Sequence, residues 1–133
     1  MEQFYYRKLN VYQRAKALSK YINTLVKDFP IEERFALADQ LRRAVTSVPI
    51  NIAEGFGRFS SKEKSHFIQI AYGSLTEVMC EIELSLDNEY ITQEVFNYIE
   101  QEIIIISKQL SKLNNSVKDN GDYDSQKVSN LNL

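Results

Sequence analysis

The sequence predicts an all-α fold, an up-down-up-down antiparallel four-helix bundle, and three observations carry that expectation. Four segments repeat apolar residues at steps of three and four, the period of one helix face. The links between these segments are only a few residues long, which makes neighbouring helices antiparallel. The 133 residues include only 4 Gly and 2 Pro, fewer turn-formers than a many-stranded sandwich or barrel needs. A chain of this length with 44% hydrophobic residues is the size of one domain.

Val11, Ala15, Leu18, Ile22, Leu25 and Phe29 place helix one at about 11–29. Asn10 is its expected N-cap, with Gln13 completing a weak capping box. Helix two is expected from Ile31 to Gly55. Pro30 suits a first turn, and Glu32 and Glu33 suit the positive end of the helix dipole. Its stripe is Phe35, Ala38, Leu41, Val45, Val48 and Ile52, and Gly55 and Gly57 supply a left-handed stop. Pro49 lies inside this helix, but the stripe continues through it, so a kink rather than a break is expected. The carbonyl of Val45 then loses its helical donor and needs Ser47, Asn51 or water.

Ser60-Ser-Lys-Glu63 has the form of a capping box and opens helix three. The expected stripe is Phe67, Ile70, Ser74, Leu75, Val78, Ile82 and Leu86. Helix four follows Thr92 with Val95, Ile99, Ile103, Ile106, Leu110 and Leu113. Ile103 to Ile106 is apolar all round, more than a lone bundle buries, which suggests a contact with another subunit. The bundle is expected over 1–115. Residues 116–133 are polar and read as a disordered tail.

Composition narrows the function classes. Net charge is −2, but residues 1–64 carry 12 Lys/Arg against 7 Asp/Glu, and 65–133 carry 4 against 11. No apolar run is long enough to span a membrane, and the N-terminus lacks the apolar core of a secretory signal. Cys80 has no disulfide partner, and the location expected is the cytoplasm. A di-iron bundle needs two Glu-x-x-His motifs. Glu63-Lys-Ser-His66 is one, and His66 is the single histidine, so no metal or cofactor is expected. Cys80 reads as a small core filler. Gly55-Phe-Gly57 lacks the rest of a phosphate loop, and Ser47 and Ser74 have no histidine base, so no catalytic residue is assigned.

Two residue sets remain. Arg43, Ser47, Asn51, Glu54 and Arg58 run at helical steps beside the apolar stripe, and Ser74 and Glu77 share a face of helix three. Arg43, Ser47, Asn51, Glu54, Ser74 and Glu77 are expected to form a polar network fixing helix two on helix three. The second set is a candidate nucleic-acid patch: Arg42, Arg43, Arg58, Lys62 and Lys64, with Phe56 and Phe59 interleaved for base stacking. A further basic and aromatic cluster joins Arg7, Lys8, Arg14, Lys16 and Lys20 to Phe4, Tyr5, Tyr6 and Tyr12. The competing reading makes the aromatics core or interface residues and the charges a solvated face.

The stretch Gln40-Leu-Arg-Arg-Ala-Val-Thr-Ser-Val-Pro-Ile-Asn-Ile-Ala-Glu-Gly55 resembles the signature of the bacterial four-helix-bundle family named for proteins encoded in 23S rRNA intervening sequences. Ala71-Tyr-Gly-Ser-Leu-Thr-Glu77 is similar to its second motif. Phe29-Pro30, Glu33-Arg34 and Tyr90-Ile91 match in order, and the likeness covers about 5–115. The resemblance implies a helical protomer, a ring-shaped homopentamer, and kinship with the retroelement accessory protein that binds a reverse transcriptase and nucleic acid. The function expected is that of a non-catalytic oligomer that binds RNA or associates with the ribosome, like a ribosomal protein. The alternative is a protein-interaction scaffold, such as an accessory subunit for a reverse transcriptase. The expected partners are thus further copies of the chain, with RNA or a nucleic-acid-binding protein, and no membrane.

Overall fold

The computed structural model describes residues 3–119. Four helices follow one another: α1, Asn10–Leu25; α2, Leu37–Phe56; α3, Ser61–Asp87; and α4, Gln93–Asp119. Each packs on the next and α1 closes the square against α4. The α1–α4 seam is pinned by Arg14, whose Nη1 donates to both Glu102 carboxylate oxygens at 3.1 and 3.2 Å, and by Tyr21 and Tyr98, whose ring centroids are 4.9 Å apart.

The first helix departs from expectation at both ends. Asn10 is already helical, and the capping position belongs to Leu9, which is fully buried and offers no side-chain cap. Gln13 donates instead to the carbonyl of Arg7 at 2.8 Å, in a 3₁₀ turn at Tyr5–Lys8. At its far end the chain tightens into a 3₁₀ turn, Val26–Asp28. That rotation buries Val26 and leaves Leu25 half-buried, while Phe29 still reaches the core.

Helix two begins later than expected. Pro30 is extended, a short 3₁₀ turn spans Ile31–Glu33, and Ala36 breaks the helix with φ −120° and ψ −110°. Phe35 therefore leaves the stripe and is 86% exposed. The Glu33 carboxylate explains the restart. One oxygen accepts from the Leu37 N–H at 3.2 Å, placing negative charge at the first turn of α2. The other accepts from the Tyr90 hydroxyl at 2.9 Å. α2 is then one helix through Pro49 to Phe56. Its end is not a left-handed glycine: Gly57 has φ −87°. Gly55 has a different task, because a Cβ there would lie 3.1 Å from Phe67 Cβ and 3.3 Å from the Lys64 carbonyl. Only glycine lets α2 and α3 approach this closely.

That approach sets the rotation of α3. Its buried apolar row is Ile68, Ala71, Leu75, Val78 and Ile82, so Phe67 moves to the half-buried flank and Ile70 to the surface. The other buried positions of α3 are Lys64, Ser65, Glu81 and Ser85. Ser60 caps α3, accepting from the Glu63 N–H at 3.2 Å, and Thr92 caps α4 in the same way through Val95. Ile99, Ile103, Ile106, Leu110 and Leu113 are buried as the spacing implies, whereas Ile104 is 39% exposed. α4 continues through Ser116 to Asp119 and buries Val117, so the bundle passes the boundary expected at residue 115. The rest of the expected tail, 120–133, lies outside the described residues.

Candidate nucleic-acid interface

Antiparallel packing converts the charge pattern of the chain into a polarity along the bundle axis. One end holds the Tyr5–Lys8 turn, the α2–α3 connection and the last turns of α4. Arg7, Lys8, Arg58, Lys62, Lys112 and Lys118 lie there, against Glu54, Glu63 and Asp119. Lys62 and Lys118, on different helices, line one surface depression. The opposite end collects Asp28, Glu32, Glu33, Asp39, Glu81, Glu83, Asp87, Glu89 and Glu94, against Lys20, Lys27, Arg34, Arg42 and Arg43. Of these acids, Asp39 and Glu94 stand in the first turns of α2 and α4, where the helix dipole favours them, whereas Asp87 closes α3, where it does not.

At the basic end, the α2–α3 connection projects Phe59, 94% exposed. Arg58 precedes it, its guanidinium 4.8 Å from the Phe67 ring centroid and 3.9 Å from the Glu54 carboxylate. Lys62 follows on the first turn of α3 and is exposed. Arg58, Phe59 and Lys62 thus form one tip.

The other four members of the sequence-derived patch do not join this tip: Lys64 and Phe56 turn inward at the same end, and Arg42 and Arg43 stand at the other. Lys64 is 1% exposed; its ammonium is 3.5 Å from the Gly55 carbonyl and 5.9 Å from the Phe56 ring. Burial lowers its pKa to about 8. Phe56 is half-buried against the core. Arg42 and Arg43 stand about 20 Å up α2 from Arg58, at 1.5 Å per residue. There Arg43 pairs with Asp39 at 3.0 Å, and Arg42 donates to the Arg34 carbonyl at 2.9 Å.

Of the expected polar network, three members meet. The Ser47 and Ser74 hydroxyls are 2.8 Å apart across the α2–α3 interface. The Asn51 amide donates to the Ser47 hydroxyl and to its carbonyl, both at 2.8 Å. The Asn51 bond thus goes to Ser47 rather than to the Val45 carbonyl. Arg43, Glu54 and Glu77 are exposed and stand outside this trio.

The buried acid of α3 is instead Glu81, one turn beyond Glu77. Its Oε1 has no hydrogen-bond partner among the described residues, and burial, then the charge of Glu77, pushes its pKa up to about 7. Sequence reading also missed the Ser65 hydroxyl, which donates to Asn114 Oδ1 at 2.6 Å between α3 and α4. Cys80 and His66 are exposed, so Cys80 is not the expected core filler. No group of three or more His, Cys, Asp or Glu gathers as a metal site among the described residues, and no described helix is long and apolar enough to cross a membrane.

The N-terminal cluster is organised by ring contacts. Arg7 lies over Phe4 at 5.5 Å, Lys8 over Tyr5 at 5.6 Å and Lys16 over Tyr12 at 5.7 Å. Beside it, between α1 and α2, runs a groove of about 630 Å³.

The family described as 23S rRNA-intervening sequence protein matches residues 7–112. Among solved structures, the chain is similar to the crystal structure of a protein of unknown function from the S23 ribosomal protein family of Bacteroides thetaiotaomicron. The two are 26% identical with a TM-score of 0.74, over 79% of this chain and 95% of that one. No curated protein matches the chain.

Proposed function

The chain belongs to the 23S rRNA-intervening sequence protein family, and from the geometry of its basic end we propose that it is a non-catalytic, oligomeric RNA-binding protein of the bacterial cytoplasm, associated with ribosomal RNA. The observation that carries this reading is Phe59, 94% exposed at the tip between Arg58 and Lys62. An aromatic ring held in water between two cations matches what an unpaired base and its phosphates need: a stacking face and charge on either side. Leaving a ring so exposed is otherwise unfavourable by the apolar area it fails to bury.

The exposed Ile104, with half-buried Ile105 beside it, supports assembly of several copies, and the family resemblance makes a five-membered ring the preferred form. A ring would present the tip repeatedly, so weak contacts add by avidity. A second reading, a scaffold for a protein such as a reverse transcriptase, draws on Ile31 and Phe35, 81% and 86% exposed at the acidic end.

The test is a salt titration of RNA binding by wild type and by the triple variant Arg58→Ala, Phe59→Ala, Lys62→Ala, with light scattering on both. The expected result is a multimeric mass for both proteins. The variant should lose about tenfold or more in affinity and show a shallower salt slope, since each phosphate contact releases counterion. Wild type that binds no RNA at low salt would refute the RNA reading and leave the scaffold. A single protomer mass on dilution would refute the assembly.

A further inference from the structure

The three large apolar side chains that stand furthest into solvent lie at the two ends of the bundle. Phe59 is 94% exposed at the basic end, and Phe35 and Ile31 are 86% and 81% exposed at the acidic end; the next, Ile50, is 58% exposed. Exposure this wide forfeits burial, and a patch of it rimmed by charge marks an interaction surface. The 20 residues of α2 separate the two ends, about 30 Å at 1.5 Å per residue. The ends of one protomer therefore cannot meet each other.

At the acidic end, Ile31 and Phe35 are one turn apart in a segment closed by two backbone bonds. The Arg34 N–H donates to the Ile31 carbonyl and the Ala36 N–H to that of Glu33, both at 3.1 Å. Asp28 and Glu32 are exposed on this side of the end, and Asp87, Glu89 and Glu94 are exposed around the α3–α4 connection. Beside Ile31 lies a depression of about 360 Å³ with apolar walls from Val26, Phe29, Pro30 and Ala38.

Lys27, Arg34 and Arg42 also line this depression. The Arg34 guanidinium is 5.4 Å from the Phe35 ring centroid. Arg42 is 3.6 Å from the Asp39 carboxylate and donates to the Arg34 carbonyl. Cations beside apolar walls favour an aromatic guest, whose ring face attracts them. The exposed acids around them favour a guest that carries cations of its own. Phe59, with Arg58 before it and Lys62 after it, has both properties.

We propose that the acidic end of one copy receives the Phe59 tip of a second copy, so that molecules stack head to tail. Phe59 packs against Ile31 and Phe35, and Arg58 and Lys62 face Asp28 and Glu32. The two surfaces differ, so the contact is heterologous and runs on along the bundle axis instead of closing. It is separate from the lateral contact at Ile104. The end of one bundle is small beside the roughly 800 Å² per partner of a standard interface. The contact is therefore weak between single protomers, steep in salt, and stronger between rings that meet at several ends at once. RNA held at the tip, as in the function proposed above, displaces the neighbouring copy.

The test is sedimentation of the full chain over a concentration series, in low salt and in about 1 M salt, where the screening length is about 3 Å. Wild type is compared with Phe59→Ser and with the double variant Ile31→Ser, Phe35→Ser. All three side chains lie outside the core, and circular dichroism checks the fold. In low salt the wild-type mass should rise with concentration to at least twice that of the unit seen in 1 M salt. Each variant alone should stay at the unit mass. The two variants freshly mixed should associate again, because one keeps the tip and the other keeps the acidic end. A wild-type mass that stays constant, a Phe59→Ser protein that still associates, or a mixture that does not would each overturn the proposal. Single-stranded RNA should return wild type to the unit mass, and the double variant should bind it at least as well as wild type. RNA bound to stacks that persist would also overturn the proposal. Stacking by a protein that binds no RNA would uphold it and remove the RNA reading.

Discussion

Burial changes what an ionisable side chain does, and α3 carries two cases, Lys64 and Glu81. Glu81 holds its proton up to about pH 7 in the fold, against 4.5 for the free group. The folded state therefore binds the proton more tightly. The stability this provides is complete below about pH 4.5 and is lost as pH rises through about 7. Glu81→Gln keeps the shape and removes the charge. It should raise stability at pH 8 by about 1–3 kcal/mol, the cost of an unsatisfied buried group, and change little at pH 4. Urea unfolding at both pH values measures this, and an equal effect at both would mean the carboxylate is solvated. Lys64 has the opposite dependence. Its folded pKa of about 8 is below the usual 10.5, so its burial disfavours the fold below pH 8 and is relieved as pH rises towards 10.5. Spacing alone could not reveal either residue. Glu77 and Glu81 both fall on helical steps from Ser74, and which one is buried depends on the rotation of α3, set by the contact at Gly55 and Phe67. Ser47, Asn51 and Ser74 were legible because small polar side chains at an i,i+4 step beside small partners can meet at an interface whichever way the flanks turn.

Among the elements, the end of α3 is the most constrained. Asn88 is the last near-helical residue and Glu89 takes φ 62°, the left-handed region. The Tyr90 N–H reaches the Ser85 carbonyl at 2.9 Å and the Glu89 N–H reaches that of Leu86 at 3.0 Å, the pair of bonds that glycine normally closes. Glutamate there has a steric cost that glycine avoids, partly offset by the unfolded-state entropy of glycine. Glu89→Gly should therefore stabilise the protein by about 1 kcal/mol, a rise of a few degrees in Tm in a calorimetric melt. A fall in Tm would show that the Glu89 side chain contributes more than its backbone strain. Sequence reading went wrong at such chain reversals. It found the caps at Ser60 and Thr92, where one side chain makes the bond. It misplaced the ends of α1 and α2, where the determinants are remote. Glu33 restarts α2 from outside it, and Leu9 begins α1 by burial alone. Phe35 followed from the same error, since a stripe continues only if the helix does.

At the scale of the whole molecule, the four-helix architecture was readable because three- and four-residue steps survive local errors of one position. The functional surface was less readable. Residues 1–64 looked basic and 65–133 acidic, but antiparallel packing sorts charge by height along the bundle. Lysines of α4 thus join the basic end, and Arg42 and Arg43 of α2 stand at the acidic one. A list of basic residues close in sequence could not anticipate that, because each helix carries its charges to both ends.

This polarity has a consequence for handling the protein. Net charge is −2 and the isoelectric point is about 5.5, so at pH 7.5 the average molecule is an anion and should pass a cation-exchange resin. A molecule with Arg7, Lys8, Arg58, Lys62, Lys112 and Lys118 at one pole can instead adsorb end-on, with its acidic pole pointing away from the bead beyond the screening length of about 10 Å at 0.1 M salt. It should be retained on phosphocellulose at low ionic strength, and on an anion exchanger under the same conditions. Flow-through on phosphocellulose would mean that the two poles cancel at the distance of a surface. Retention on both would mark a molecule whose behaviour at charged surfaces follows its orientation rather than its total charge.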